Sequence, residues 1–178
     1  MDSKNICKLG IILLLICAIS TSLLSLVNSF TLPVIEENNL KAQELAKKEV
    51  LPLAENFEEI SDGVYKGTTG NEFVGYTVNA TTSGYGGAIE MIVGIDKDMA
   101  ITGVKILTMA ETPGLGAKAK DGDFINQFVG KKDGLKLKKS QAGENEINAI
   151  SGATVTSTAV TNGVLKAFEM LKSAGGGK

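Results

Sequence analysis

The sequence predicts an α+β domain carried on a single N-terminal transmembrane helix, with a twisted, mainly antiparallel sheet and flanking helices. Three observations carry this prediction. Leu9 to Ile35 contains no charged residue. Ile89, Met91, Val93 and Ile95 alternate with Glu90, Ile92 and Gly94 before a turn at Asp96-Lys97-Asp98, and Ile101 to Leu107 returns, which is the pattern of a hairpin. Val160, Val164, Phe168 and Leu171 fall on one helical stripe near the C-terminus.

Composition narrows the chemistry. The 178 residues hold 18 basic and 20 acidic side chains, a net charge of −2, and every basic residue is Lys. No extended basic face is available, so nucleic acid is not an expected partner. Without His, a His triad, a His metal site and a His general base are all excluded. Cys7 and Cys17 both lie at or in the apolar run, so a disulfide framework, a zinc site or a four-cysteine iron–sulfur site has no ligands. Redox chemistry on this chain needs an organic cofactor, and no metal site is expected.

A bilayer core takes about 20 helical residues, and the apolar run is long enough. Lys4 and Lys8 precede it and Glu36 and Glu37 follow, so the positive-inside bias puts the N-terminus in the cytoplasm. A cleaved signal peptide lacks an Ala-x-Ala site, because the run ends in Leu26-Val27-Asn28-Ser29-Phe30. A lipoprotein signal at Cys17 wants a small residue before the cysteine, and Ile16 is large. An uncleaved anchor follows, with Cys17 as a small apolar residue facing lipid or a partner helix. From Val34 to Leu53 the pattern turns amphipathic. Ile35, Ala42, Leu45, Ala46 and Val50 form the apolar stripe of a stalk helix that Pro52 ends.

The domain begins near Phe57. Val64-Tyr65-Lys66 and Glu72 to Val78 read as strands around the turn Gly67-Thr68-Thr69-Gly70. A glycine-rich loop, Ser83-Gly84-Tyr85-Gly86-Gly87, precedes the hairpin. Asp121 to Val129 reads as a short helix carrying Phe124, Ile125 and Phe128, and Leu135 to Lys139 as a basic strand or loop. The last helix runs from Thr154 to Ser173, and a floppy tail follows it. The expected divisions are a cytoplasmic tail over 1–8, the anchor over 9–30, stalk and linker over 31–56, the domain over 57–173 and the tail over 174–178.

Two loops carry candidate chemistry. In Thr112-Pro113-Gly114-Leu115-Gly116, Pro-Gly signals a turn and the glycines permit close approach, leaving Leu115 to lie against a flat ring. In Ser151-Gly152-Ala153-Thr154-Val155-Thr156-Ser157, four hydroxyls sit within seven residues where a small-residue turn enters a helix. Such a turn offers backbone N–H groups and a helix N-terminus to a phosphate, with the Thr154 hydroxyl within reach. Each loop also fits a plainer role, the first as a hairpin-to-helix connection and the second as a helix N-cap. With no Arg and no P-loop spacing, a nucleoside triphosphatase is not supported.

Gly84-Tyr85-Gly86-Gly87, Glu111-Thr112-Pro113-Gly114-Leu115-Gly116 and Ser151-Gly152-Ala153-Thr154 together resemble the FMN-binding domain family. That domain occurs in the G subunit of the Rnf electron-transport complex and the C subunit of the sodium-pumping NADH:quinone reductase. The likeness covers Val64 to Leu171, and the anchor, stalk and Leu51-Pro52 junction resemble the Rnf protein, as does the shortness of the chain. The resemblance implies FMN joined through its phosphate to the Thr154 hydroxyl by a separate flavin transferase. Ser151, Gly152, Ala153 and Thr156 would shape the phosphate site. Glu111, Thr112, Leu115, Gly116 and Lys118 would contact the isoalloxazine. The motif commonly has Asp three residues before its Ser/Thr; here Asn148 keeps the hydrogen-bonding shape and loses the charge.

The function so implied is electron transfer within a membrane ferredoxin:NAD+ oxidoreductase that translocates Na+ or H+. No residue of this chain acts as a catalytic acid or base, and no independent substrate turnover is expected. The partners implied are the A, B, C, D and E subunits, above all the D subunit flavin and an iron–sulfur cluster held by A and E. The location implied is the bacterial inner membrane, with the FMN domain on the extracytoplasmic side. Open alternatives are the quinone reductase C subunit, a free-standing anchored flavoprotein for extracellular electron transfer, and a flavin-free adaptor module.

Overall fold

The computed structural model describes residues 3–139 and 143–176; Met1, Asp2 and the end of the expected tail, Gly177 and Lys178, lie outside the described residues. The chain divides into two units, Met1–Lys41 and Ala42–Lys178. The first is helical, part of α1 (Ser3–Val50), and the expected anchor and stalk are parts of that one helix, with Pro33 inside it. Among the described residues, this is the one helix long and apolar enough to cross a membrane. Its hydroxyls bond back to their own helix: Thr21 to the Cys17 carbonyl, Ser22 to Ala18 and Thr31 to Val27, at 2.6–2.7 Å. Hydroxyls satisfied in this way suit a helix surrounded by hydrocarbon.

The second unit is built on a five-stranded antiparallel meander, β1 (Asn56–Ser61), β2 (Val64–Thr69), β3 (Glu72–Ser83), β4 (Ala88–Asp96) and β5 (Ile101–Thr108), in that order across the sheet. The expected turn at Gly67 to Gly70 is shorter than the sequence suggests. β2 runs on to Thr69, and Gly67 is a strand residue whose Cβ would meet the Leu51 side chain at 2.6 Å. β1 escapes a reading from alternation because it is an edge strand with five of its six residues exposed.

One face of the sheet packs on α3 (Thr154–Ser173), whose bounds are those the sequence predicts. Val78, Ile89, Met91, Val93, Val160, Val164, Phe168 and Leu171 make the main core between them. The other face takes the last turns of α1, where Ala46 and Val50 close on Ile92. Ile92, expected on the polar side of the hairpin, is therefore fully buried, as it must be in a strand covered on both faces. The Thr102 hydroxyl donates to the Val50 carbonyl at 2.5 Å and fixes the helix end.

The expected stalk stripe needs correction. Ala46 and Val50 are buried, but Leu45 is exposed and Lys47 takes a buried place instead. Lys47 lays its stem on the sheet, sets its ammonium 3.5 Å from the Tyr65 ring centroid and pairs with Glu44 at 2.8 Å.

After β5 the chain forms a 3-10 turn (Gly116–Lys120), α2 (Gly122–Ile125) and a second 3-10 turn (Asn126–Phe128). Phe124 and Phe128 meet edge to face with centroids 5.5 Å apart. Two short parallel strands, β6 (Lys136–Lys138) and β7 (Glu146–Asn148), then lead into the turn before α3.

Candidate functional site

The small parallel pair aims the chain at a tight turn. The Ala149 N–H donates to Lys138 O at 2.7 Å, and the Ala153 N–H donates to Ile150 O at 3.0 Å. Gly152 is the third residue of that four-residue turn, with φ +77°, the left-handed position that favours glycine. Ser157 holds the turn from beneath. Its hydroxyl donates to Ala153 O at 2.9 Å and accepts the Ile150 N–H at 3.0 Å. Asn148, the last residue of β7, lies two residues before the turn, its N–H donating to Gln127 Oε1 at 2.8 Å.

α3 then starts with no side-chain cap. Ala153 occupies the N-cap position, no acidic residue stands in the first turn, and the first helical bond is Ser157 N–H to Ala153 O at 3.0 Å. The N–H groups of Thr154, Val155 and Thr156 precede it, so the positive end of the helix is left for something else to satisfy. The N-cap reading of Ser151 finds no capping hydrogen bond.

This helix start forms one wall of a cavity of about 560 Å³, within the range of about 300–1,000 Å³ usual for small-molecule sites. Tyr85, Glu111, Thr112, Leu115, Gly116 and residues 152–156 line it. Three distant motifs therefore converge. Of the residues the sequence nominates, Thr154, Gly152, Ala153, Thr156, Glu111, Thr112, Leu115 and Gly116 share this cavity, whereas Ser151 and Lys118 are exposed outside its wall. Tyr85 and Val155 are additions that the sequence does not nominate. Both are exposed apolar surfaces on the wall, with Tyr85 77% accessible, and the Gly84–Gly87 motif is the signal that points to Tyr85.

Glu111 sits where the motifs meet. Its Oε1 accepts the N–H groups of Tyr85 and Gly86 at 2.8 and 3.0 Å, and its Oε2 accepts the Thr156 hydroxyl at 2.7 Å. Burial pushes the Glu111 carboxyl up, but the bonds from Thr156, Gly86 and Tyr85 outweigh burial and hold it below its ordinary value of 4.5. The fold thus prefers the ionised form. Its contribution to stability is complete above the unfolded value and is lost as pH falls through the lower folded value. The stability gap between wild type and Glu111→Gln in urea melts is expected to narrow as pH falls below the ordinary carboxyl value of 4.5. A gap that stays constant would mean that the carboxyl titrates alike in both states.

The wall carries one carboxylate and no cation. Its chemistry is an apolar slot between Leu115, Val155 and Tyr85, ending at a helix N-terminus beside an exposed threonine hydroxyl. A flat apolar ligand with an anionic end fits such a site.

Comparisons with known proteins identify the family. Residues 84–169 match the FMN-binding domain family, and residues 1–50 match the RnfG N-terminal region. The chain is 40% identical to the G subunit of the Na(+)-translocating ferredoxin:NAD(+) oxidoreductase complex of Acetobacterium woodii, over 97% of this chain and 95% of that one. It is 34% identical to the G subunit of the proton-translocating complex of Clostridium ljungdahlii, over 99% and 97%. Among solved structures, the C subunit of the Na(+)-translocating NADH-quinone reductase of Parabacteroides distasonis superposes with a TM-score of 0.54 at 25% identity. That likeness covers 62% of this chain and 61% of that one.

Proposed function

The chain belongs to the family of RnfG subunits of ion-translocating ferredoxin:NAD(+) oxidoreductase complexes, and we propose that it serves such a complex as an electron carrier with FMN covalently held at Thr154. FMN, when bound, accepts and returns electrons; the chain's part is to place it. The observation that carries the reading is the uncapped, acid-free start of α3, which opens beside an exposed threonine into an apolar slot.

Each residue then has a job. Leu115, Val155 and Tyr85 face the ring, Thr112 and Gly116 shape the slot, and Ser151, Gly152 and Ala153 form the turn that presents Thr154. Lys118 lies exposed outside the slot's wall, two residues beyond Gly116. A flavin transferase supplies an activated flavin phosphate. In that transfer Thr154 Oγ1 would take the place of the donor's leaving group on the flavin phosphate and give up its hydroxyl proton.

The absence of a cation from the wall supports covalent attachment. Helix-end attraction for an anion is worth about 0.3–1 kcal/mol at exposed sites, too little to retain a phosphate without help.

Residues 9–30 would anchor the domain of residues 57–173 to the inner membrane, with residues 1–8 in the cytoplasm and 31–56 as stalk and linker. The domain would then face the outside, close to the other subunits and their redox centres, the D subunit flavin and the iron–sulfur cluster of A and E. Near full-length likeness to G subunits, including residues 1–50, favours this over the quinone reductase C subunit.

The test is co-expression with a flavin transferase, followed by a denaturing gel and intact mass. A fluorescent band heavier by one flavin phosphate is expected, and its absence returns the protein to the adaptor reading. Gly152→Val is expected to block loading while the domain stays folded. At φ +77° a β-branched residue is strained by about 1–2 kcal/mol, and its side chain grows toward Leu115, whose Cδ2 lies 3.3 Å from the added Cβ. Normal loading in that variant would remove the need for close approach at the turn.

A further inference from the structure

We propose that Glu111 is a positioning residue, which holds the turn carrying Thr154 in register with the Gly84–Gly87 loop so that flavin attachment depends on it although its carboxylate binds protein groups. The proposal rests on the reading of Thr154 as the attachment residue. Resemblance alone makes Glu111 a flavin contact; its observed partners give it a different task.

A carboxylate offers about four lone-pair sites, and three of them are taken here by the Tyr85 N–H, the Gly86 N–H and the Thr156 hydroxyl. The surrounding backbone closes on this group to distances only glycine allows. A Cβ at Gly84 would fall 2.3 Å from Oε1, and one at Gly116 would fall 2.6 Å from both Oε2 and the Thr156 Oγ1. A Cβ at Gly86 would strike the Ala110 carbonyl at 2.0 Å. Gly84 and Gly116, one from each glycine motif, are thus explained by one buried carboxylate, and Gly86 by the backbone that leads into it.

The consequence falls on α3. Thr156 is in its first turn, two residues after Thr154, and is 2% exposed. Ser157 shapes the turn locally, through bonds to Ile150 and Ala153. The Thr156–Glu111 bond alone among these ties the first turn to residues 45 positions away. It fixes where the Thr154 hydroxyl stands relative to the slot.

The experiment uses the full chain, with Thr156→Val, Thr156→Ser, Glu111→Gln and Glu111→Ala, and two readouts. The first is amide hydrogen exchange at Tyr85, Gly86 and Ser157 in flavin-free protein. The second is the rate of covalent flavin loading by the transferase. A hydrogen bond to a charged group corresponds to about tenfold to a hundredfold in such equilibria. Thr156→Val and Glu111→Ala are expected to raise exchange and slow loading by about tenfold or more. Thr156→Ser keeps the hydroxyl and restores both, and Glu111→Gln, which keeps the acceptor for the two N–H groups, falls between.

Wild-type exchange or wild-type loading in Thr156→Val overturns the proposal. Thr154→Ala separates the two readings, because it removes loading with exchange unchanged. If Thr154→Ala still loads flavin, the attachment reading fails, while the exchange of the Thr156 variants continues to judge the clamp.

Discussion

Thr154→Ala is expected to abolish covalent flavin completely, with no fluorescent band on a denaturing gel and no flavin mass on the intact chain. The expectation follows from position. Thr154 is exposed at the first residue of α3, whereas the neighbouring hydroxyls of Thr156 and Ser157 are buried and bonded to Glu111, Ala153 and Ile150. Neither can reach a phosphorus atom without breaking the turn. Ser151 is exposed but lies outside the cavity wall, on the far side of Gly152 and Ala153 in sequence. Loss of loading should come with little loss of stability, within about 0.5 kcal/mol for an exposed side chain with no structural bond to lose. Thr154→Ser keeps a hydroxyl at the same place and should load more slowly than wild type but detectably. Full fluorescence in Thr154→Ala would move the attachment to another hydroxyl, and Ser151 would be the next to replace.

That separation of function from stability is unusual within this site, because most of its residues do both. How much of it the sequence foretold depends on the range over which each contact acts. α3 was legible to its end residues, since its stripe repeats every three to four positions and its start and stop are set locally. The meander was legible wherever strands alternate, and illegible at β1, an exposed edge with no pattern to read. Ile92 and Lys47 escape the pattern for one reason: the end of α1 covers the sheet face that an amphipathic hairpin would leave to water. Pro33 stands inside α1 and marks no helix boundary. The cavity residues were found through motifs, but the clamp was not. Its partners stand 25, 26 and 45 residues from Glu111, and two of them are backbone N–H groups that no side-chain pattern announces.

Gly116→Ala is expected to damage both stability and loading, and the contrast with Gly114→Ala shows why. Exchanging glycine for alanine usually stabilises by about 0.4–1 kcal/mol where the backbone permits it, because the unfolded chain loses freedom. Gly114 has φ +78° with open space around it, so alanine there meets only left-handed strain of about 1–2 kcal/mol. Gly116 has the opposite character. Its backbone is ordinary, but an added methyl would stand 2.6 Å from Glu111 Oε2, 2.6 Å from Thr156 Oγ1 and 3.0 Å from Glu111 Cβ. The carboxylate cannot swing aside, because Tyr85 and Gly86 hold its other oxygen, and the Thr156 hydroxyl has no water to turn to at 2% exposure. Overpacking of about 1–3 kcal/mol and a lost charge-assisted bond of about 1.5–3 kcal/mol add to roughly 2.5–6 kcal/mol. The urea midpoint should fall accordingly and flavin loading should fall with it, whereas Gly114→Ala should lose less stability and keep loading. If the two variants melt together and both load flavin, the clamp does not organise the site; if Gly116→Ala alone fails, the carboxylate between the loops does.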